Sequence, residues 1–173
     1  MRFTLVLAIL CSFGMNSYAS SSNVKKFEID KGNVSITVVA RPMRPTVTTV
    51  KNADCDVTAS VKNIGNTIKV SHSTSSHCQR GNDILITIGT DKDVEVNLKA
   101  GTVTLKDAGT ALQKFSELDA NVSAGAIVTQ NSNVEVNRTN NSAGSSAVYK
   151  NNPKTSVNKP ALKLSVRAGN ISL

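Results

Sequence analysis

The sequence predicts an all-β protein, and three observations lead to this fold class. Apolar and polar residues alternate in one short segment after another, as at 34–38 and 84–88, which is typical of strands with one buried face. Short polar turns that contain glycine separate these segments, because glycine tolerates the positive φ that tight turns need. The alternation resumes after each turn and continues to Leu173. We therefore expect short strands along the mature chain, except at 107–117, where the apolar spacing also fits a helical turn.

The first 19 residues are predicted to form a cleaved signal peptide. The positive charge of Arg2 precedes an apolar run at 5–15, and the small residues Ser17 and Ala19 stand at the −3 and −1 positions before cleavage. The run is shorter than the roughly 20 apolar residues that span a bilayer, so we expect a mature form without a transmembrane span. An uncleaved anchoring helix is the alternative. The predicted location is the periplasm, the cell envelope or the medium.

The mature chain, residues 20–173, has the length of one domain with a single hydrophobic core. We expect N-terminal strands or a cap at 20–60 and a β-repeat region at 61–173, within the same domain. Loss of Arg2 leaves 19 basic and 12 acidic residues, a formal net charge of +7. A basic exported surface concentrates anionic partners such as envelope polymers; the alternative is that the charge only maintains solubility.

Two cysteines, Cys55 and Cys78, remain after cleavage. An even number of cysteines in an oxidising compartment favours a disulfide between them. Neither cysteine belongs to a Cys-x-x-Cys pair, so reactive or metal-binding thiols are the weaker alternative. Closing this loop is expected to stabilise the fold by about 3 kcal/mol, because it restricts the unfolded chain.

Three segments, at 96–105, 120–129 and 164–173, repeat the pattern strand, Ala-Gly, strand. With Ser142-Ala143-Gly144 as a degenerate copy, the glycines at 101, 125, 144 and 169 are 24, 19 and 25 residues apart. This spacing predicts a single-domain parallel β-solenoid or β-roll, in which coils of about 19–25 residues lay short strands over one another. An antiparallel β-sandwich with glycine at its hairpin turns is the alternative.

These repeats resemble a family of bacterial adhesin domains, in which exported β-repeats are joined by Gly-Asn or Ala-Gly turns. The matching pieces are the Ala-Gly repeats and the segments 32–36, 81–86 and 169–173, each of which begins with Gly-Asn. The resemblance covers residues 60–173. It implies a β-solenoid-like fold and an adhesin-like binding or structural role at the cell envelope.

No segment has the residue spacing of a catalytic site. His72 and His77 are weak candidates for zinc or copper ligands, but a disulfide would occupy the sulfur of neighbouring Cys78. Period-two alternation places the carboxylates within 91–95 on one solvent-facing side of a strand, and no EF-hand pattern surrounds them. We therefore predict no catalytic residue, no metal site and no cofactor, and we expect that the protein is not an enzyme.

The mature chain has few aromatic residues, namely Phe27, Phe115 and Tyr149. Sites that stack bases on aromatic faces are therefore disfavoured, and we expect no specific nucleic-acid partner. Ser, Thr and Asn make up 50 of the 154 mature residues, so recognition by hydrogen bonds and charge remains open.

The C-terminal third of the chain is the most basic part and contains two segments low in apolar residues. We predict a candidate basic binding surface there, formed by Arg138, Tyr149, Lys150, Lys154 and Lys159. The alternative is that these segments are only insertions between coils.

Together these features favour a non-catalytic envelope or secreted protein, an adhesin-like binding or structural module whose partner is an anionic envelope polymer or another protein. Two alternatives remain. One is a periplasmic protein that handles metal or redox equivalents through its cysteines and histidines. The other is an enzyme that acts on polysaccharide, because parallel β-helices include such enzymes.

Overall fold

The computed structural model describes residues 24–73, 76–129, 137–140, 143–150 and 159–173, which are mostly β-strand. The strands are β1 (Val24–Val38), β2 (Thr46–Val50), β3 (Ser60–Ile64), β4 (Thr67–Ser71), β5 (Asn82–Ile88), β6 (Asp93–Leu105), β7 (Glu117–Ala124), β8 (Ile127–Val128), β9 (Asn137–Asn140), β10 (Ser145–Lys150) and β11 (Ala161–Ser172). One short helix, α1 (Ala108–Leu112), follows β6. The all-β class is confirmed. Among the described residues, no helix has both the length and the apolar character needed to span a bilayer.

Three long strands, β1, β6 and β11, lie side by side and parallel in the middle of the sheet. Each contains a glycine at the same level, since Gly32 pairs with Gly101 and Gly101 pairs with Gly169. We call these positions corners, because the strand has different neighbours before and after them. Before its corner β1 pairs with β4, and after it β1 pairs with β5.

The segments before the corners form the first half-sheet, in the order β3-β4-β1-β6-β11-β7-β10-β9. The segments after the corners form the second half-sheet, in the order β2-β5-β1-β6-β11-β8. The middle strands of both are parallel, whereas β3, β10 and β2 are antiparallel to their neighbours. The sheet therefore mixes both kinds of pairing, with the antiparallel pairs toward its edges.

The corners turn the apolar sides of both half-sheets toward one core. In β1 the alternating buried apolar side chains end at Ile29 and begin again at Val34, five positions later. An odd step would place the second set on the opposite side of a flat strand, so the strand must bend for both sets to be buried together. The same step recurs at Leu98/Val103, Val122/Ile127 and Val166/Ile171. All of these residues belong to a single buried cluster.

The bend explains the glycines. Gly101 has a φ of 130°, and a Cβ atom on it would lie 2.0 Å from the carbonyl oxygen of Gly32. Gly125, between β7 and β8, continues the row, since its Cβ would lie 1.6 Å from the carbonyl oxygen of Gly169. Only glycine fits where two backbones approach this closely. Gly144, expected as a fourth copy, instead lies against the carbonyl oxygen of Val122 without a positive φ, and Gly32 takes the fourth place.

The described chain passes from the first to the second half-sheet five times. Three passages are made by the single strands β1, β6 and β11, and two are made by pairs of successive strands, β4 with β5 and β7 with β8. In space β1 lies between the β4/β5 passage and β6, and β11 lies between β6 and the β7/β8 passage. Coils stacked in chain order, as in a simple solenoid, are therefore not what the structure shows, and its parallel middle strands differ from an antiparallel β-sandwich. Strand β1, from the 20–60 segment, lies in the middle of the sheet. The spacing of the glycines in the sequence identifies the repeated segments. Their order in the sheet depends instead on which strands form hydrogen bonds with one another.

Candidate functional site

The basic surface predicted in the C-terminal third is only partly described. Arg138 belongs to β9, but its side chain and all of Lys154 lie outside the described residues. Tyr149 pairs with Leu118 and packs against the core, whereas Lys150 pairs with Glu117 and is exposed. These two residues therefore face opposite sides of β10.

Lys159 is the remaining member of that predicted surface. Its Nζ donates a hydrogen bond to the carbonyl oxygen of Gln113, at 2.9 Å. The bond attaches the segment before β11 to the loop after α1. Binding by the predicted surface stays a prediction.

The predicted disulfide between Cys55 and Cys78 is present, and both residues are buried. Hydrogen bonds join the two segments on either side of the bond. The amide of Asp56 donates to the carbonyl oxygen of His77 at 2.9 Å, and an oxygen of Asp54 accepts from the amide of Arg80 at 2.6 Å. The bond thus holds together the segments that precede β3 and β5.

The two histidines precede Cys78 in the chain. His77 is exposed, and His72 is half-buried. With both cysteines in the disulfide, neither sulfur is a thiolate available to a metal. Within the described ranges, no group of three or more His, Cys, Asp or Glu side chains is placed to hold a metal ion.

A cavity of about 720 Å³ lies on the outer side of the first half-sheet, and we call it the hairpin groove. The outward side chains of β1, β6 and β11 form its floor, and the β3–β4 hairpin forms one wall. Its charged residues are Lys62, Lys69, Lys99, Arg167, Glu28 and Asp30. All of these lie at strand positions that alternation directs away from the core.

Two of the four cations are paired with the two acids. Lys69 Nζ lies 3.2 Å from Glu28 Oε2, and Lys99 Nζ lies 2.6 Å from Asp30 Oδ1. The hydrogen bond from Lys69 holds the pKa of the Glu28 carboxyl below its usual range, and the charges of Lys69 and Lys26 act in the same direction. Glu28 is therefore an anion at neutral pH.

The other two cations have no acidic partner among the described residues, and each lies beside a like charge. Lys62 pairs directly with Lys69 across the antiparallel β3–β4 hairpin. Arg167 lies at the level of Lys99 on the neighbouring strand, since the residues on either side of them pair in register. Like charges directly opposite one another destabilise a sheet. The groove therefore has an excess positive charge at two separate places, and an anion would relieve the repulsion at each.

Next to Lys99 and Arg167 the floor is neutral and polar, because Asn97 of β6 pairs with Ser165 of β11 at the preceding outward position of the same strands. Their amide and hydroxyl groups supply hydrogen-bond donors and acceptors. Strand β1, which lies between β4 and β6, contributes Glu28 and Asp30 to the floor between the two places. The groove thus combines cations for an anionic ligand with neutral groups that can orient it.

The outer side of the second half-sheet differs in character. Its central strands carry uncharged side chains in register, namely Asn33, Ser35, Thr102, Thr104, Asn170 and Ser172. The charged residues of β1, β6 and β11 are thus concentrated before the corners. The asymmetry places the candidate site on one side of the molecule.

The residues of the groove were not among those proposed from the sequence. Lys62, Lys99 and Arg167 are far apart in the chain. Lys99 and Arg167 each stand directly before the Ala-Gly of a repeat, at 96–105 and at 164–173, and this shared position was the signal that could have grouped them. Lys62 has only the signal of a basic residue in a predicted strand. Pairing between β3 and β4, and between β6 and β11, is what brings them to one surface.

No protein-family model matches the chain, and no curated protein is significantly similar to it in sequence. Among solved structures, the chain is similar to a candidate cell adhesion protein from Clostridium sporogenes, with 10% sequence identity and a TM-score of 0.33. The match covers 88% of this chain and 92% of that protein. A similarity at this level does not assign a family.

Proposed function

We propose that this protein is an exported, non-catalytic, adhesin-like binding module, and that its hairpin groove binds an anionic polysaccharide of the cell envelope. The observation that carries the proposal is the pair of like-charge contacts, Lys62 with Lys69 and Lys99 with Arg167. In each pair one cation is bound to an acid and the other is not, so an anion that lies beside the unpaired cation is attracted by both.

A polysaccharide is favoured over single-stranded nucleic acid by the residues that line the groove. Among the described residues that line it, none is aromatic, so they give bases nothing to stack on. Asn97 and Ser165 line the groove and offer hydrogen bonds to hydroxyl groups, which are abundant on sugars.

The state of the two acids supports a binding role rather than a catalytic one. A carboxyl that acts as a general acid at neutral pH needs a raised pKa. The pKa of Glu28 is lowered instead, because Lys69 stabilises the carboxylate. Asp30 is likewise committed to an ion pair, with Lys99.

Export and the β-roll form belong to the same proposal. A disulfide between Cys55 and Cys78 is consistent with an oxidising compartment outside the cytoplasm. We describe the fold as a β-roll with coils out of chain order, since each corner strand passes between the half-sheets at the glycine row. This arrangement presents the outward side chains of several strands as one surface.

The test uses a soluble polyuronate as the probe and compares three variants. Lys62→Gln and Arg167→Gln each remove one unpaired cation of the groove, and Lys106→Gln removes an exposed cation at the far end of β6. Each groove variant is expected to lower the affinity roughly two- to fivefold, in line with single exposed ion pairs, and Lys106→Gln to leave it unchanged.

Two results would count against the proposal. Equal affinities for all three variants would remove the groove as the binding site. Shortening of the polymer during incubation, measured by size-exclusion chromatography, would show catalysis and contradict a purely binding role.

A further inference from the structure

A second basic cavity, of about 760 Å³, lies against the turn of the β3–β4 hairpin. We call it the turn cavity, because Asn63, Gly65 and Asn66 form part of its lining. Its charged residues are Lys25, Arg44, Lys92 and Asp91. Three cations and one acid leave this cavity with a positive excess, as in the hairpin groove.

Two charged residues of the turn cavity already have hydrogen-bond partners. An oxygen of Asp91 accepts a hydrogen bond from the backbone amide of Met43, at 3.2 Å. Lys25 Nζ donates to the carbonyl oxygen of Gly65, at 3.4 Å. The bond from Lys25 fixes one cation at the hairpin turn.

The other two cations, Arg44 and Lys92, are exposed and have no ion pair with a described acid. They lie on two different loops, before β2 and before β6. Two exposed cations that converge on one cavity from separate loops are available to a ligand anion. Neither was among the binding residues proposed from the sequence.

The hairpin itself is the wall that the two cavities share. Along β3 the residues alternate between them, since Lys62 and Ile64 line the groove and Asn63 lines the turn cavity. The whole of β3 is exposed. A Cβ atom on Gly65 at the turn would have no atom within 4 Å, so the end of the hairpin is open to an approaching chain.

We propose that the turn cavity is a second anion-binding site, and that one linear acidic polysaccharide crosses the β3–β4 hairpin and occupies both cavities. This inference rests on the proposed function, because it takes the hairpin groove as the first site. Charge complementarity supports it, since each cavity has an excess of positive charge and the wall between them is narrow and exposed. Once a polymer is bound in the groove, its next anionic groups are held at high effective concentration beside the turn cavity.

The experiment measures affinity against the length of polyuronate oligomers, for the wild type and three variants. The Arg44→Gln/Lys92→Gln variant removes two cations of the turn cavity, Lys62→Gln/Arg167→Gln removes two of the groove, and Lys106→Gln is the control. All of these side chains are exposed, and a thermal melt of each variant checks that folding is intact.

For the wild type and Lys106→Gln, we expect oligomers long enough to cross the hairpin to bind roughly tenfold more tightly than shorter ones. The Arg44→Gln/Lys92→Gln variant should bind short oligomers as the wild type does but lose this rise. Loss of the rise in that variant alone supports the two-site inference.

The contrary outcomes separate the two proposals. If Arg44→Gln/Lys92→Gln retains the rise with length, the turn cavity is not a second site, and binding in the groove still stands. If Lys62→Gln/Arg167→Gln has the same affinity as the wild type for the short oligomers and also for the long ones, the groove is not a binding site and the proposed function fails as well. If a DNA duplex of similar charge displaces the polymer at equal concentration, binding is to polyanions in general and the assignment to polysaccharide is overturned.

Discussion

A Cβ atom placed on Gly169 would lie 1.7 Å from the carbonyl oxygen of Gly101, its partner on the neighbouring strand. This contact is one step in the row of corner glycines that joins the two half-sheets. The φ of Gly169, 138°, is also one that residues with a side chain rarely adopt. Stability at the corner therefore depends on the absence of a side chain.

Gly169→Ala is expected to lower the free energy of unfolding by at least about 2 kcal/mol, from backbone strain and the clash with Gly101. Gly65→Ala is the matched control, because Gly65 also has a positive φ, 57°, but no atom within 4 Å of its added Cβ. That variant should lose only about 1 kcal/mol. Urea unfolding of both variants makes the comparison, and equal losses would contradict the close packing of the corner.

Asn82 is the buried polar residue of the core among the described residues, and we expect it to stabilise the segment before β3. Its Oδ1 accepts a hydrogen bond from the backbone amide of Ala59, at 2.7 Å. Asn82→Ala leaves that buried amide without an acceptor, which should cost about 1–3 kcal/mol.

Hydrogen exchange checks the same contact directly. The Ala59 amide should lose protection in Asn82→Ala and keep it in Asn33→Ala, which removes an exposed asparagine. If the Ala59 amide remains equally protected in Asn82→Ala, the side chain of Asn82 is not its acceptor.

The disulfide predicts a defined thiol count and a defined loss of stability. The oxidised chain that begins at residue 20 should show no free thiol, because both of its cysteines are in the bond. Replacing Cys55 and Cys78 together with serine should lower the free energy of unfolding by about 3 kcal/mol, by relaxing the constraint on the unfolded chain.

Two thiols that titrate in the oxidised protein would contradict the bond, and would favour the metal- or redox-handling alternative. A double variant as stable as the wild type would show that the bond does not stabilise the fold. Reduction of the wild type with dithiothreitol is the internal control, since it should reproduce the loss seen in the double variant.

The ion pair between Glu28 and Lys69 predicts how binding changes with pH. Because Lys69 lowers the pKa of Glu28, this carboxylate keeps its charge until the pH falls below the usual range for glutamate. Protonation then frees Lys69 and adds one net positive charge to the groove. Affinity for a sulfated dextran, whose sulfates stay ionised, should rise as the pH falls through the lowered pKa of Glu28.

The Glu28→Gln variant should bind this probe more tightly at neutral pH and show a smaller rise in acid. Asp30 is present in both proteins and therefore does not account for a difference between the two curves. Circular dichroism at each pH confirms that the chain is folded. Parallel pH curves for the two proteins would exclude Glu28 as the titrating group.

The same linkage applies to stability. A lowered pKa means that the Glu28–Lys69 pair stabilises the fold above the unfolded pKa of the glutamate, and that this contribution is lost as the pH falls through the folded pKa. Acid should therefore destabilise Glu28→Gln less than the wild type. A urea titration at neutral pH and in acid measures the difference.

The alternating strands and the special role of the glycines were predictable because both are local. The predicted turns at Gly32, Gly101 and Gly169 were wrong, since these glycines are bends inside the continuous strands β1, β6 and β11. Alternation at 34–38 reports one buried side of β1, and the glycines at 101, 125 and 169 report positions where no side chain fits. The pairing of Cys55 with Cys78 was predictable by elimination, since these are the two cysteines left after the predicted cleavage. Each of these inferences needs only the residues next to one another in the sequence, or the number of cysteines.

The candidate site was not predictable in the same way. Tyr149 and Lys150 are adjacent in the chain and were grouped in one surface, but a strand directs consecutive side chains to opposite sides. Lys99 and Arg167 are distant in the chain and were not grouped as binding residues, although each precedes the Ala-Gly of its repeat; pairing of β6 with β11 places them side by side. Proximity on a sheet follows register rather than distance along the chain.

By itself the sequence determined an all-β chain, the positions of its repeated glycines and the two residues that its disulfide joins. Only the tertiary structure decided that β1 and β11 lie inside the sheet, that the glycines bend continuous strands, with Gly32 rather than Gly144 completing the row, and that unpaired cations line two cavities beside the β3–β4 hairpin. The physical reason is that period-two alternation sets which side of a strand is buried, whereas hydrogen bonding between strand edges sets which strands become neighbours.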